Sequence, residues 1–198
     1  LQDPVNNTDT KNCLPCQNKT NTIPVAEDSL LPQPTGATLD DIYEGLKTIP
    51  RDIEKHLPTL HRLAKNVAHI TEFSRRRETG AALLAGTQGT VISYCMEPDP
   101  LQERLLASGR FTLFHKPSTE VVDIEETDML VLNSQYTYRR TSEELAKYGQ
   151  HARRYIVLHG AFTHGRRGED GTAMGIIDAA ANWIAQHPEW FVVHYNNT

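Results

Sequence analysis

The pattern of apolar positions changes character near residue 38. From there, Leu39, Ile42 and Leu46 recur at the spacing of a helix that buries one face. Thr38, just before this run, is a residue type that often caps a helix N-terminus. The pattern therefore predicts a helix starting near residue 38.

A second helix and then an alternation of strands and helices follow along the chain. The second helix is predicted over residues 51–64, where Pro58 is expected to bend or split it because proline has no backbone N–H. Strands are then predicted at 67–73, 90–95, 110–115, 129–132, 155–159 and 190–195, and helices at 78–85, 100–107, 140–148 and 174–187.

The predicted strands read as continuous apolar runs, such as Tyr155, Ile156, Val157 and Leu158. A strand without polar alternation is typical of a sheet that helices cover on both faces. Together with the alternating order, this predicts an α/β fold with a doubly wound, mostly parallel sheet.

Residues 1–34 have a different composition and are predicted to form a flexible polar tail before a single domain at residues 35–198. The tail holds five of the chain's 11 prolines and no aromatic residue, so it offers little apolar surface to bury. Its one chemical feature is the C-x-x-C formed by Cys13 and Cys16. Two cysteines are half of a zinc site, so the alternatives are an idle thiol pair, a metal site or a labile disulfide.

The composition and net charge argue against nucleic-acid binding and against a membrane-spanning protein. The chain has 198 residues, 38% of them hydrophobic and 23% charged, which is enough for one domain with a core. A net charge of −5 provides no basic footprint, so nucleic acid is not expected as a partner. No apolar run is long enough for a membrane span, and the three cysteines are too few for a disulfide scaffold, so a soluble, cytoplasmic protein is expected.

In a doubly wound sheet the ligand binds outside the carboxyl ends of the strands. The residues that follow each predicted strand are therefore the informative ones. They lie at 72–80, 95–99, 133–138 and 159–171.

Several short motifs in these segments and around them resemble one known family. They are Glu72-Phe73, Val91-Ile92-Ser93-Tyr94, Ser134-Gln135-Tyr136-Thr137-Tyr138, Tyr155-Ile156-Val157-Leu158-His159, Gly168-Glu169-Asp170-Gly171 and His187-Pro188-Glu189-Trp190. They are similar to the class I S-adenosylmethionine-dependent methyltransferases, in the branch of cephalosporin-hydroxylase-like and sugar O-methyltransferase-like proteins. The resemblance implies a Rossmann-like fold, S-adenosylmethionine as cofactor and transferase activity.

The resemblance also assigns cofactor-binding positions. They are Glu72, Ser74, Gly80, Cys95, Glu97 and Asn133. Several depart from the family pattern, which has glycines where this chain has Ser74 and Glu78, an acid at the end of the second strand where Cys95 stands, and an aspartate at Asn133. Glu97 could replace that acid only if its turn were reshaped. No metal site is expected, because Asn133 and His159 make a poor magnesium site without a carboxylate.

The candidate catalytic residues are His159 and His164, as bases for an acceptor hydroxyl. Each has a plainer interpretation: His159 as a hydrogen-bonded residue at the edge of the sheet, and His164 as part of a solvated loop. Glu169 and Asp170 could cap the following helix instead of taking part in chemistry. The arginines that begin at Arg75 could bind phosphate, but a solvated surface is the commoner role of such a run.

Two functions remain from the sequence. The departures favour a degenerate methyltransferase-like domain, a pseudoenzyme that serves as a binding or assembly module for a small molecule or a protein. The alternative is an active S-adenosylmethionine-dependent O-methyltransferase acting on a small hydroxylated or sugar-like acceptor. The resemblance also implies a final antiparallel strand that would start at Thr198. Either the molecule continues past this residue, or an exposed sheet edge that favours a homo-oligomer is expected.

Overall fold

The computed structural model describes residues 37–49, 53–75, 77–97 and 100–194. The predicted tail at residues 1–34 with Cys13 and Cys16, and the end of the chain from Tyr195, lie outside the described residues.

Seven α-helices and five strands alternate along the described part of the chain. In order they are α1 (Leu39–Leu46), α2 (Leu57–Ala64), β1 (His69–Ser74), α3 (Arg77–Gly86), β2 (Thr90–Cys95), α4 (Pro100–Leu106), β3 (Phe111–Phe114), β4 (Thr127–Asn133), α5 (Tyr138–Tyr148), β5 (Ala152–Leu158), α6 (Ala161–His164) and α7 (Ile176–Gln186). Short 3₁₀ helices precede α2 at Ile53–Lys55 and β5 at Gly149–His151.

The five strands form one sheet in the order β3-β2-β1-β4-β5, and every pair is parallel. The chain therefore starts in the middle of the sheet, moves to one edge and then returns to build the other half from β4. This is the Rossmann-like, doubly wound α/β arrangement that the sequence predicts. The point where the strand order reverses lies between β1 and β4.

Helices cover both faces of the sheet, as the apolar strands predicted. One core lies between the sheet and α1 to α4 and includes Leu57, Ile70, Leu83, Val91, Leu105 and Met129. The second lies on the opposite face toward α5 and α7 and includes Phe73, Leu130, Leu132, Leu145, Tyr148 and Trp183. Alternate residues of each strand point to opposite faces, which is why Met129 and Leu130 belong to different cores.

The predicted start of α1 and the role of Pro58 are both confirmed. Thr38 and Asp41 form a capping box, in which the Asp41 backbone N–H donates to the Thr38 hydroxyl and the Thr38 N–H donates to the Asp41 carboxylate. Pro58 splits the predicted second helix and stands in the first turn of α2. Proline is tolerated there because a first-turn N–H has no helical acceptor.

Two expectations are wrong, and one short helix was not predicted. Residues 190–194 form no strand, and Phe191, Val192 and Val193 are exposed, because the segment has no neighbouring strand among the described residues to accept its backbone hydrogen bonds. The short helix α6 was not predicted. The N-cap of α7 is Gly175, whose N–H donates to the Asp178 carboxylate at 2.9 Å, so neither Glu169 nor Asp170 caps this helix.

None of the helices in the described part of the chain is long and apolar enough to cross a membrane.

Candidate functional site

The carboxyl ends of the strands place the predicted site residues in one row. Ser74 at the end of β1 pairs in register with Cys95 of β2 on one side and with Asn133 of β4 on the other. His159 follows β5 directly, and its backbone N–H donates to the Leu132 carbonyl at 3.1 Å. The row spans the point where the strand order reverses, which is where such sheets bind ligands.

Ser74 is hydrogen-bonded to the first turn of α3 in the middle of this row. The Ser74 and Thr79 hydroxyls are hydrogen-bonded at 2.9 Å, and both side chains are buried. Glu78, where the resemblance predicts a glycine, is only 3% exposed. Ser74 and Glu78 thus both carry buried side chains.

Cys95 and Glu97 do not replace the acid at the end of β2. The Cys95 side chain is 6% exposed, and its thiol donates to the Glu97 carbonyl at 3.3 Å. Glu97 itself is exposed on the turn. Among the described residues of this strand end, neither side chain therefore holds a carboxylate in the row.

Glu72 points away from the row and into the core under α3. Its side chain is 1% exposed, and Gly80 leaves it room, because a Cβ at residue 80 would lie 2.7 Å from Glu72 Oε1. Burial raises the pKa of Glu72 to about 7, although the Ser93 and Thr79 hydroxyls partly offset this effect. The second oxygen, Oε2, has no hydrogen-bond donor among the described residues.

Asn133, Tyr136 and His159 form a hydrogen-bonded chain at the ends of β4 and β5. The Tyr136 hydroxyl donates to Asn133 Oδ1 at 2.8 Å and lies 3.0 Å from His159 Nδ1. Since the one hydroxyl hydrogen points to Asn133, Nδ1–H of His159 is the donor to Tyr136. The other ring nitrogen, Nε2, is buried, and the His56 ring packs edge-on against the imidazole at 5.2 Å. This arrangement fits the plainer interpretation of His159 as a hydrogen-bonded residue at the edge of the sheet.

A small polar cavity lies behind Tyr136. Its volume is about 10 Å³, and Ser134, Tyr136, Glu144 and His159 line part of it. That volume is close to the least that holds one water molecule. The Ser134 hydroxyl donates to Glu144 Oε1 at 2.6 Å, and burial raises the pKa of Glu144, while the Ser118 and Ser134 hydroxyls oppose the shift.

The segment after β5 covers Tyr136 from outside. The His164 ring stacks on the Tyr136 ring at 5.2 Å, which places this predicted base against the tyrosine. Glu169 forms an ion pair with Arg75 at 3.0 Å and accepts from the Tyr136 backbone N–H at 3.2 Å. Asp170 turns outward to Thr172, whose hydroxyl and backbone hydrogen bonds lower the pKa of Asp170.

The six predicted cofactor positions lie outside both cavities of the structure described here. Glu72, Ser74, Gly80, Cys95, Glu97 and Asn133 line neither the small cavity nor a larger groove elsewhere. With Ser74, Cys95 and Asn133 buried and Glu97 exposed on its turn, these side chains do not form the set of contacts that the resemblance implies for S-adenosylmethionine. Within the described ranges, no three His, Cys, Asp or Glu side chains are grouped so that they could hold a metal ion.

The larger groove has a volume of about 630 Å³ and lies far from the row. Tyr43 and His61, whose rings stack at 4.3 Å, line it together with Lys65 and Gly86. Because α3 ends at Gly86 and β2 begins at Thr90, this groove is at the amino ends of the strands. In such sheets ligand binding occurs at the opposite ends.

Sequence reasoning missed Glu144 and the link from Arg75 to Glu169. Glu144 is flanked by Thr141, Leu145 and Tyr148, all buried. An acid within the apolar stripe of a helix is a signal that could have found Glu144. No sequence pattern joins Arg75 to Glu169, because 94 positions separate them.

Comparison with known proteins gives distant structural neighbours only. No protein family profile matches the chain, and no curated protein matches it. The crystal structure of a SAM-dependent O-methyltransferase from Thermotoga maritima is 18% identical, with a TM-score of 0.36 over 48% of this chain and 40% of that one. A putative RNA methyltransferase from Pyrococcus horikoshii is 19% identical, with a TM-score of 0.34 over 54% of this chain and 55% of that one. This chain thus covers about half of each, and similarities this low assign no function.

Proposed function

We propose that the chain is a methyltransferase-like Rossmann domain that no longer holds S-adenosylmethionine and that serves as a binding or assembly module. The observation that carries the proposal is the filled row at the carboxyl ends of β1, β2 and β4. Ser74, Cys95 and Asn133 are buried there, and Glu78 in the first turn of α3 is buried as well.

The space at this edge supports the proposal. Sites for small molecules and cofactors enclose about 300 to 1,000 Å³. Neither of the two cavities described above, of about 10 and 630 Å³, is lined by Ser74, Cys95 or Asn133. Opening a space for a nucleoside beside Ser74 would break its hydrogen bond with Thr79.

The chemistry of the row also supports it. A ribose bound at the end of β2 needs an acceptor, and the Cys95 thiol is a weak one that already donates to the Glu97 carbonyl. Glu78 would place a carboxyl group close to the carboxylate of a bound methionine moiety. Two like charges in one site repel each other, so binding would require one of them to be protonated.

Isothermal titration calorimetry tests the proposal. We expect no binding heat when S-adenosylmethionine or S-adenosylhomocysteine is added up to millimolar concentration to the folded chain. A ligand-into-buffer titration corrects for dilution, and circular dichroism of the same sample establishes that the chain is folded. A saturable heat with a micromolar Kd would contradict the degenerate function.

A second candidate, an active S-adenosylmethionine-dependent O-methyltransferase, is favoured by the chain from Asn133 through Tyr136 to His159. A histidine whose tautomer is fixed by a hydrogen bond is a common general base. This candidate requires cofactor binding, so an absence of heat at millimolar ligand would exclude it. If methyl transfer to a sugar-like acceptor were detected, Tyr136→Phe should reduce it, whereas Tyr138→Phe on the exposed start of α5 should not.

A further inference from the structure

The Glu169 carboxylate is bound by two donors that come from opposite sides of the switch point. Arg75, the residue after β1, donates from Nη1 to Oε2 at 3.0 Å and to Oε1 at 3.3 Å. The Tyr136 backbone N–H, three residues after β4, donates to Oε1 at 3.2 Å. A guanidinium and a backbone amide that converge on one carboxylate are the contacts with which proteins bind carboxylate ligands.

Other contacts fix these donors in place without Glu169. Arg75 Nη1 also donates to the Ser134 carbonyl at 3.4 Å, and the Arg75 guanidinium lies over the Tyr136 ring, 5.6 Å from its centroid. The Arg75 backbone N–H donates to the Asn133 carbonyl at 2.8 Å. The donors are therefore attached to the sheet, whereas Glu169 is attached to the loop that follows α6.

The ion pair between Arg75 and Glu169 is accessible to solvent and therefore weak. The Arg75 side chain is 52% exposed and that of Glu169 is 30% exposed. Ion pairs that are this accessible to solvent shift an equilibrium by about fivefold at most. The loop adds one backbone hydrogen bond, from the Glu169 N–H to the Tyr136 carbonyl at 2.9 Å, and the stacking of His164 on Tyr136.

We propose that Arg75 and the Tyr136 backbone amide form a binding site for the carboxylate group of a ligand, and that Glu169 fills this site as an internal competitor. A ligand carboxylate displaces Glu169 and releases the loop from Tyr136. The proposal is independent of whether the domain binds S-adenosylmethionine, because neither Arg75 nor Glu169 belongs to the cofactor positions.

Titration with malonate tests the proposal on the full chain. The chemical shift of the Tyr136 amide is followed in ¹H–¹⁵N spectra while sodium chloride keeps the ionic strength constant. Removing the competitor with Glu169→Gln should tighten the malonate Kd about fivefold, because the site is then no longer occupied from within. Glu143→Gln, which breaks an exposed pair with Arg139 on α5, is the matched control and should bind as the wild type does.

A second readout follows the loop itself. Trypsin cleavage after the exposed Arg166 should be about fivefold faster in Glu169→Gln than in the wild type, and malonate should accelerate it in the wild type. Adding Arg75→Gln to Glu169→Gln should abolish the saturable shift of the Tyr136 amide. The proposal is overturned if Glu169→Gln binds malonate no more tightly than the wild type, or if the double variant binds it equally well.

Discussion

The two faces of the sheet bury different chemistry near the carboxyl ends of the strands. The face toward α5 and α7 buries Phe73, Leu130 and Leu132. The face toward α3 buries Glu72 and Ser93, which are register partners on β1 and β2. Because burying a polar group without a full set of hydrogen bonds costs free energy, the two faces contribute unequally to stability although both are covered by helices.

The buried polar side chains of the α3 face lie at the carboxyl ends of the strands. On the α3 face the strands are apolar at their amino ends, with Ile70, Val91 and Met129, and polar at their carboxyl ends. The polar groups satisfy one another only in part, since Asn133 Nδ2 and Glu72 Oε2 have no partners among the described residues. Replacing such groups by apolar ones of the same shape is often neutral or stabilising, so stability alone does not explain these residues.

The largest expected effect compares one buried residue from each face. Leu130→Ala should lower the free energy of unfolding by about 2–5 kcal/mol, because it removes a fully buried side chain and leaves a cavity. Ser93→Ala, equally buried, should change it by less than about 1 kcal/mol, because it removes one hydroxyl and leaves no large cavity. Urea unfolding of the two variants measures both. Equal losses would show that the faces do not differ.

The next effect is the pH dependence that Glu72 contributes on the α3 face. The raised pKa of Glu144 on α5 contributes one of the same sign, which a change at Glu72 leaves in place. The pKa of Glu72 rises from 4.5 to about 7 on folding, so the folded state binds the proton more tightly than the unfolded state does. The stability from this group is present below pH 4.5 and is lost as the pH rises through 7, a loss of about 3 kcal/mol. Glu72→Gln should remove that fall in the free energy of unfolding between pH 4.5 and 7.

Glu143→Gln is the control for this pH dependence, because Glu143 lies on the surface of α5. Its unfolding curve, measured by urea across the same pH range, should follow that of the wild type. If Glu72→Gln also follows the wild type, the carboxyl group of Glu72 does not carry the pH dependence.

The smallest effect concerns the hydrogen bonds at the carboxyl ends of β4 and β5. Tyr136→Phe removes the hydroxyl between Asn133 and His159 and should cost about 1–2 kcal/mol, because Asn133 Oδ1 is buried and loses its donor. Tyr138→Phe removes a hydroxyl that accepts from Asn182 at the surface, so it should cost less than about 0.5 kcal/mol. Thermal unfolding ranks the two; a larger cost for Tyr138→Phe would contradict the account of the edge.

The sequence predicted the sheet well because each strand is an apolar run bounded by turns. The strand predicted at 90–95 is β2 as observed, and parallel pairing and two covered faces follow from the same pattern. The strand predicted at 190–195 was wrong for the described residues 190–194, although Phe191, Val192 and Val193 have the right residue types. A strand also needs a neighbour, and the local pattern does not supply one.

The pattern of strands predicted which residues lie at the carboxyl ends of the sheet. It did not predict which other residues their side chains contact. The rule that ligands bind at the carboxyl ends located Ser74, Asn133 and His159 in one row. Whether Glu72 faces the crevice or the core depends on the packing of α3, which no local pattern gives. Their assignment to a cofactor stays a prediction.

The measurement that tests the central claim most directly is a ¹H–¹⁵N titration with S-adenosylhomocysteine that follows the backbone amides of Ser74, Cys95 and Asn133. The account predicts that these amides do not shift at millimolar ligand, because side chains of the same chain fill the row. Saturable shifts of these three amides with a micromolar Kd would contradict it.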